Sequence, residues 1–343
     1  MDPDRDPFPG ARRRRAWRVA LSLSAGLVIA GGLHEAGAYQ LYGGHGFVWP
    51  ASEQPVGYWV ANMAHYRMSV EEVATETRAA FAKWESSAQV GISFSYQGLT
   101  NQRPFDAFDA TNTIGFTTRE HMAELGLSPR TLGVTTWLTD AETGRIIESD
   151  ILVNPSLNWT NDPERAGGWD LRSTLTHEVG HFLGLGHSNV GRIVDGSVLE
   201  GSAVMWPFSH GAGKSLGRAL TDDDVTGASV LYPGPGAETG VIRGTVVRAG
   251  SGEGVRRAHV TVYDPVRGVL VGAWTDESGN FEVGGLADGH YILRVNPIPP
   301  DHSTFAYFFL PWLVDQDFSV TVAPSLVPLI GRNAPNVRIE VRP

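Results

Sequence analysis

The chain has 343 residues, 42% of them hydrophobic, and no low-complexity block, which is enough for two ordinary domains with real cores. Its formal charge is −10 and its basic residues do not cluster beyond position 18, which argues against a nucleic-acid partner, because phosphate binding needs a positive stripe. It contains no cysteine, and domains of this size hold together without disulfides, so that absence leaves the compartment open.

The N-terminus reads as a targeting segment. Arg12 to Arg15 and Arg18 form a positive region, Val19 to Leu33 is uncharged and mostly apolar, and Ala36-Gly37-Ala38 offers a cleavage site before Tyr39. This predicts a signal peptide over 1–38 and a secreted chain, extracellular or periplasmic. The 19–33 run is shorter than the roughly twenty residues that span a bilayer, so no stable membrane span is expected after cleavage. Removing 1–38 takes away six arginines and four acids, moving the charge from −10 to −12.

Residues 39–55 lack periodicity and read as an extended arm. Val56 to Asn62 alternates and predicts a first strand. Ser69-Val70-Glu71-Glu72 is a capping box, and Val70, Val73, Thr77, Phe81 and Trp84 recur at helical spacing, predicting a long amphipathic helix. Strand-like runs follow at Val90 to Tyr96, Thr113 to Thr117, Leu132 to Leu138 and Ile146 to Val153. A strand, a helix and then several strands predict an α+β layer, a twisted mixed sheet with helices packed on it. Asp106, Asp109, Asp140, Glu142, Glu148 and Asp150 form a pool of loop acids, but none shows the dense spacing of a calcium loop, and solvated loop charge accounts for most of them.

The stretch from Thr176 to His187 reads H-E-x-x-H-x-x-G-x-x-H. A helix starting at Asp170 puts Leu171, Leu175, Val179 and Phe182 on one stripe and His177 with His181 on another face, one turn apart, where both imidazoles reach one tetrahedral cation. Glu178 lies beside them, placed to take a proton from water without occupying a coordination site. Gly184 suits the positive-φ stop that lets His187 return to the same ion. Average residue frequencies give a chance match on the order of one in ten million positions. His210 reads as an exposed loop histidine, since a catalytic zinc keeps its fourth position open.

Further on, Ala203-Val204-Met205-Trp206-Pro207 precedes Leu220-Thr221-Asp222-Asp223-Asp224-Val225-Thr226-Gly227, where Thr221 and the acids suit a helix N-terminus. Taken with the three-histidine motif and Ser188 directly after it, these segments resemble the metzincin zinc proteases, in their matrixin branch. The resemblance covers roughly residues 47 to 233. It implies a zinc endopeptidase acting on protein or peptide substrates. His177, His181 and His187 would be its metal ligands, Glu178 its general base and Met205 the methionine of the turn beneath the metal. It also implies structural Ca²⁺, without naming ligands, and Asp223 or Asp224 holding a neighbouring chain segment. Latency through a propeptide cysteine is impossible here.

Pro233-Gly234-Pro235-Gly236 continues neither helix nor ladder and marks a boundary. Beyond it Val241 to Val247, Ala258 to Tyr263, Val269 to Thr275, Phe281 to Val283 and Tyr291 to Val295 alternate with Gly, Asp and Asn turns, predicting an antiparallel sandwich. Thr275-Asp276-Glu277-Ser278-Gly279-Asn280-Phe281, then Gly285-Leu286, Gly289 and Tyr291, resembles carboxypeptidase-regulatory-like domains of the prealbumin type. Phe305 to Leu313 and Val337 to Val341 are assigned to the same sandwich. The expected organisation is therefore a catalytic domain over 39–233, a linker over 234–239 and an accessory sandwich over 240–343, making surface or substrate contact. A secreted binding or adhesion protein with an inert zinc site is the rival reading, and Glu178 counts against it, since a structural site has no use for a base.

Overall fold

The computed structural model describes residues 17–23, 47–105, 108–140, 142–195, 197–297 and 314–343. In chain order the first part contains β1 (Trp17–Leu23), β2 (Val56–Ala61), α1 (Val70–Glu85), β3 (Phe94–Thr100), β4 (Thr113–Phe116) and α2 (Arg119–Glu124). It continues with β5 (Gly133–Asp140), β6 (Ile146–Val153), β7 (Trp159–Thr160), α3 (Pro163–Ala166), β8 (Trp169–Asp170), α4 (Leu171–Phe182), β9 (Ile193–Val194), β10 (Ser197–Val198) and α5 (Asp222–Leu231).

A six-stranded sheet runs in the order β1-β5-β6-β4-β2-β3. Its β2, β3, β4 and β6 pairings are parallel and those of β5 with β6 and β1 are antiparallel, so the sheet is mixed, as expected. Trp17–Leu23, within the expected targeting segment, is placed against β5, while the cleavage motif at 36–38 lies outside the described residues. No helix among the described residues is long and apolar enough to cross a membrane.

The helix of 70–85 begins at the Ser69 cap: Glu72 N donates to Ser69 Oγ and Ser69 N donates to Glu72 Oε2, both halves of the capping box. Val73, Thr77, Phe81 and Trp84 are its buried stripe. That stripe and the one on α4 meet over the sheet in one core with Val60, Ile114 and Ile151. The expected strand at 90–96 is shifted to 94–100, because Val90 instead bridges Pro233 and the Gly91 N–H donates to Tyr232 O. These residues anchor the far end of the same domain.

The second part contains β11 (Gly240–Arg248), β12 (His259–Asp264), β13 (Gly268–Trp274), β14 (Asn280–Leu286), β15 (Gly289–Asn296), β16 (Thr321–Val322), β17 (Val327–Leu329) and β18 (Val337–Val341). Strands β14, β11 and β18 make one sheet; β13, β12, β15 and β16 make another, with β17 paired to β15. Alternate residues from both, such as Val246 and Phe281 against Val262 and Leu293, are buried in a second core. The β18 strand covers 337–341 as expected, whereas the 305–313 run lies outside the described residues. The Pro-Gly segment between the cores is pinned: Gly234 N donates to Gln89 O and Gly236 N to Ala88 O, each at 2.9 Å.

Candidate active site

Helix α4 is built to be held still. Asp170 caps its start by accepting from Ser173 N at 3.1 Å, and Arg218 holds the Asp170 carboxylate with bonds of 2.6 and 2.7 Å. Leu171, Leu175, Val179 and Phe182 are each 0% exposed. Three buried indoles then reach its backbone: Trp84 Nε1 donates to Thr176 O, Trp137 Nε1 to His181 O and Trp49 Nε1 to Phe182 O, at 2.8–2.9 Å. The bond to Phe182 O satisfies a carbonyl that the end of a helix leaves without an intrahelical partner, while His181 O also accepts from Gly184 N at 2.7 Å. Tyr232 OH donates to Leu183 O at 2.7 Å. Gly184 follows with φ +95, where a Cβ would sit 1.9 Å from Phe47 O, so glycine is required there for conformation and for space.

The turn at Gly184 returns the chain so that three imidazoles converge. His181 Nε2 lies 3.1 Å from His177 Nε2 and 3.2 Å from His187 Nε2. His177 Nδ1 is 2.6 Å from Val204 O and His181 Nδ1 is 2.7 Å from Leu185 O; a carbonyl only accepts, so both Nδ1 atoms carry the hydrogen. Their Nε2 lone pairs therefore point at one another, an arrangement that repels unless a cation lies among them. Burial pushes the His177 imidazole down to about 4 and, with the neighbouring imidazoles, holds His181 and His187 well below their usual range. All three stay neutral at physiological pH, the form that ligates metal. Among the described residues this is the one group of three such side chains within ligand reach, and it is compatible with a zinc site.

Glu178 is 0% exposed, and Thr135 Oγ1 on β5 lies 2.7 Å from its Oε2 and 3.0 Å from its backbone O. Glu178 and His177 line the same cleft, a cavity of about 280 Å³ walled by Leu132, Val204, Trp206 and Phe208. The Met205 turn ties the site together. Asp224 accepts from Val204 N and Met205 N at 2.9 Å each, while Met205 O accepts from Ser188 N at 2.8 Å. Met205 itself is 2% exposed beneath Gly180. His210 is half-buried rather than exposed, with Nε2 3.3 Å from Leu199 O; it lines the cleft and stays outside the triad.

Two of the acids expected as solvated loop charge, Glu148 and Asp150, lie instead on β6 and are buried, and the described members of the pool other than Glu142 accept backbone N–H groups. Glu148 accepts from Ala110 N, Asp150 from Thr113 N and Phe105 N, Asp109 from Thr111 N and Asp140 from Glu142 N. Asp106 lies outside the described residues. With their oxygens turned to N–H groups, these carboxylates give the expected calcium no support. Asp224 holding the 204–205 turn agrees with what the resemblance implies, whereas Thr135, Trp49 and Trp137 carry no signal in the sequence, because each acts on residues far along the chain.

Comparison with known proteins agrees with this geometry. The chain is 32% identical over 173 residues to Metalloendoproteinase 1-MMP of Arabidopsis thaliana, covering 49% of this chain and 40% of that protein. It is 38% identical over 65 residues to Metalloendoproteinase 5-MMP of the same plant, covering 19% and 15% respectively. The match thus spans less than half the length of either relative. The major pilin subunit of Bacillus cereus shares 13% identity over 31% of this chain and 30% of its own, at a TM-score of 0.22, a likeness too slight to carry an argument. Residues 241–310 match the carboxypeptidase regulatory-like domain. The matrixin family matches residues 48–233, more than half of the chain and the whole of the three-histidine site, and the protein belongs to that family.

Proposed function

We propose that this protein is a secreted zinc endopeptidase in which His177, His181 and His187 hold the metal and Glu178 is the general base. The observation that carries the reading is the convergence of three neutral Nε2 atoms in a cleft that Glu178 also lines. Zinc, when bound, supplies a Lewis acid that polarises the scissile carbonyl and lowers the pKa of water to about 7. Glu178 takes the proton from the attacking water and hands it to the departing amine nitrogen. Thr135 fixes the carboxylate rotamer for both transfers, and the walls at Leu132, Val204 and Phe208 seat an apolar substrate side chain beside the reacting bond. Met205 shapes the floor of the site. Export rests on the basic and apolar N-terminal pattern with Ala36-Gly37-Ala38.

Glu178→Gln tests the assignment, since the amide keeps the shape and the three ligands but cannot act as a base. Casein zymography should show lysis by the wild type that a chelator abolishes. The variant should bind one zinc and lose at least about a hundredfold in rate. Near-wild-type proteolysis by a zinc-loaded Glu178→Gln chain would refute the role of Glu178, and chelator-resistant lysis would refute the metal.

A further inference from the structure

His177 and His181 are presented by a rigid helix, but His187 comes from a loop. The inner side of that loop is secured within the catalytic region, where Ser188 N donates to Met205 O and Ala203 N to Val190 O, each at 2.8 Å. Its outer side is secured by Asp223 of α5, which is in turn engaged by the C-terminal domain. Ser188 Oγ donates to Asp223 Oδ2 at 2.6 Å, and the other oxygen of that carboxylate accepts from Gly272 N on β13 at 3.3 Å. Asp223 is 2% exposed, so one buried carboxylate joins the residue after the third histidine to a strand of the second core.

Gly272 brings the two backbones together. A Cβ there would lie 2.4 Å from Asn189 Oδ1, 2.8 Å from His259 Nε2 and 3.1 Å from Val190 Cγ2. Only glycine lets β13 lie this close to the loop. Asn189 Oδ1 and His259 Nε2 are both buried there without a hydrogen-bond partner among the described residues. Burying unpartnered polar atoms disfavours a contact that serves cohesion alone. The docking also extends beyond this point: Gly285 abuts Thr226 of α5, where a Cβ would lie 2.4 Å from Thr226 Cγ2, and Arg267 approaches Asp222 at 3.8 Å.

We propose that the C-terminal domain is a positioning element of the metal site: β13, through Gly272, Asp223 and Ser188 and by direct contact with Asn189, fixes the loop that presents His187. This rests on the reading that the triad holds zinc. Asp223 and Gly272 are positioning residues, acting on His187 through Ser188 and the loop that follows it.

The test uses the full-length chain and zinc, with affinity read by competition with a chromophoric chelator. Gly272→Ala places a methyl group where Asn189 and His259 lie. It should weaken zinc binding about tenfold or more, the range seen when groups supporting a metal ligand are removed. Hydrogen exchange at the Ser188 and Val190 amides should rise while that of α4 is unchanged. Asp223→Ala should behave alike. Asp223→Asn should stay within about threefold of wild type, because its amide oxygen can accept from Gly272 N–H and its amide nitrogen can donate to Ser188 Oγ. Arg267→Ala, which removes a peripheral contact between the domains, should leave zinc affinity at the wild-type value. Folded Gly272→Ala and Asp223→Ala chains with wild-type zinc affinity and unchanged exchange at 188–190 would overturn the proposal. Should Gly272→Ala fail to fold, the contrast between Asp223→Ala and Asp223→Asn decides. A wild-type chain that takes up no zinc would instead remove the metal reading itself, and this one with it.

Discussion

Gly180 lies on α4 between His177 and His181, and two opposed effects make Gly180→Ala informative. Helix propensity alone favours alanine by about 0.8–1.0 kcal/mol. The surroundings oppose it: a Cβ at 180 would fall 2.2 Å from Met205 Sδ, 2.8 Å from Trp84 Cζ2 and 3.1 Å from Met205 Cε. Trp84 cannot yield easily, being 0% exposed with its indole bonded to Thr176 O. Met205 has a flexible thioether, but its backbone N–H is held by Asp224 and its carbonyl by Ser188, and the side chain is 2% exposed. Overpacking costs about 1–3 kcal/mol, and with neither neighbour free to move aside the upper part of that range, about 2–3 kcal/mol, applies; against the propensity gain it leaves a net loss of about 1–2 kcal/mol. For a unit of this size that is a fall of roughly 2–8 °C in melting temperature. Displacing Met205 also moves Val204 O, the acceptor for His177 Nδ1, so zinc affinity should fall by about tenfold. Thermal unfolding followed by circular dichroism, with chelator competition, reads both effects. A Gly180→Ala chain that melts higher than wild type and holds zinc as tightly would show that the turn yields freely, and would refute the packing argument.

Other perturbations have equally definite outcomes. His181→Ala removes the imidazole at the centre of the chelate and should abolish stoichiometric zinc; a metal analysis still finding about one tightly held zinc per chain would move the site elsewhere. Thr135→Val takes the hydroxyl from Glu178 and should lower kcat by about tenfold with zinc content intact, whereas an unchanged kcat would remove Thr135 from the site. Burial raises the Glu148 carboxyl to about 7, above its unfolded value of about 4.3. The folded state therefore binds the extra proton, and this contribution to stability is fully present below about 4.3 and lost as pH rises through about 7. Glu148→Gln should reduce the fall in denaturant midpoint across that window, and an unaltered pH profile would contradict the burial effect.

Much of the site was readable because its chemistry is local in sequence. The four-residue spacing of His177 and His181, the cap at Asp170 and the stripe from Leu171 to Phe182 depend on helix geometry alone, and the structure places each as that geometry requires. The strand at 94–100 was misplaced for the opposite reason. Val90 to Ile92 has the apolar character of a strand, but Val90 and Gly91 are engaged by Pro233 and Tyr232, more than a hundred residues away, and no local pattern carries that pairing. The same holds for the indoles of Trp49 and Trp137, which count only as apolar bulk until the helix carbonyls they reach are known.

Glycine shows where local reading stops. Gly184 could be assigned from its neighbours because the conformation it permits, φ +95 at the end of a helix, is a property of the residue itself. Gly180 and Gly272 have no such mark: by propensity the first is a weak helix residue and the second a weak strand residue. What requires them is contact with Met205 in one case and with Asn189 and His259 in the other, groups that meet them only after the chain has folded. A composition rule would replace both with larger residues and predict a gain in stability. The distances predict a loss at both positions, and each loss falls on a segment that presents or supports a histidine of the converging triad.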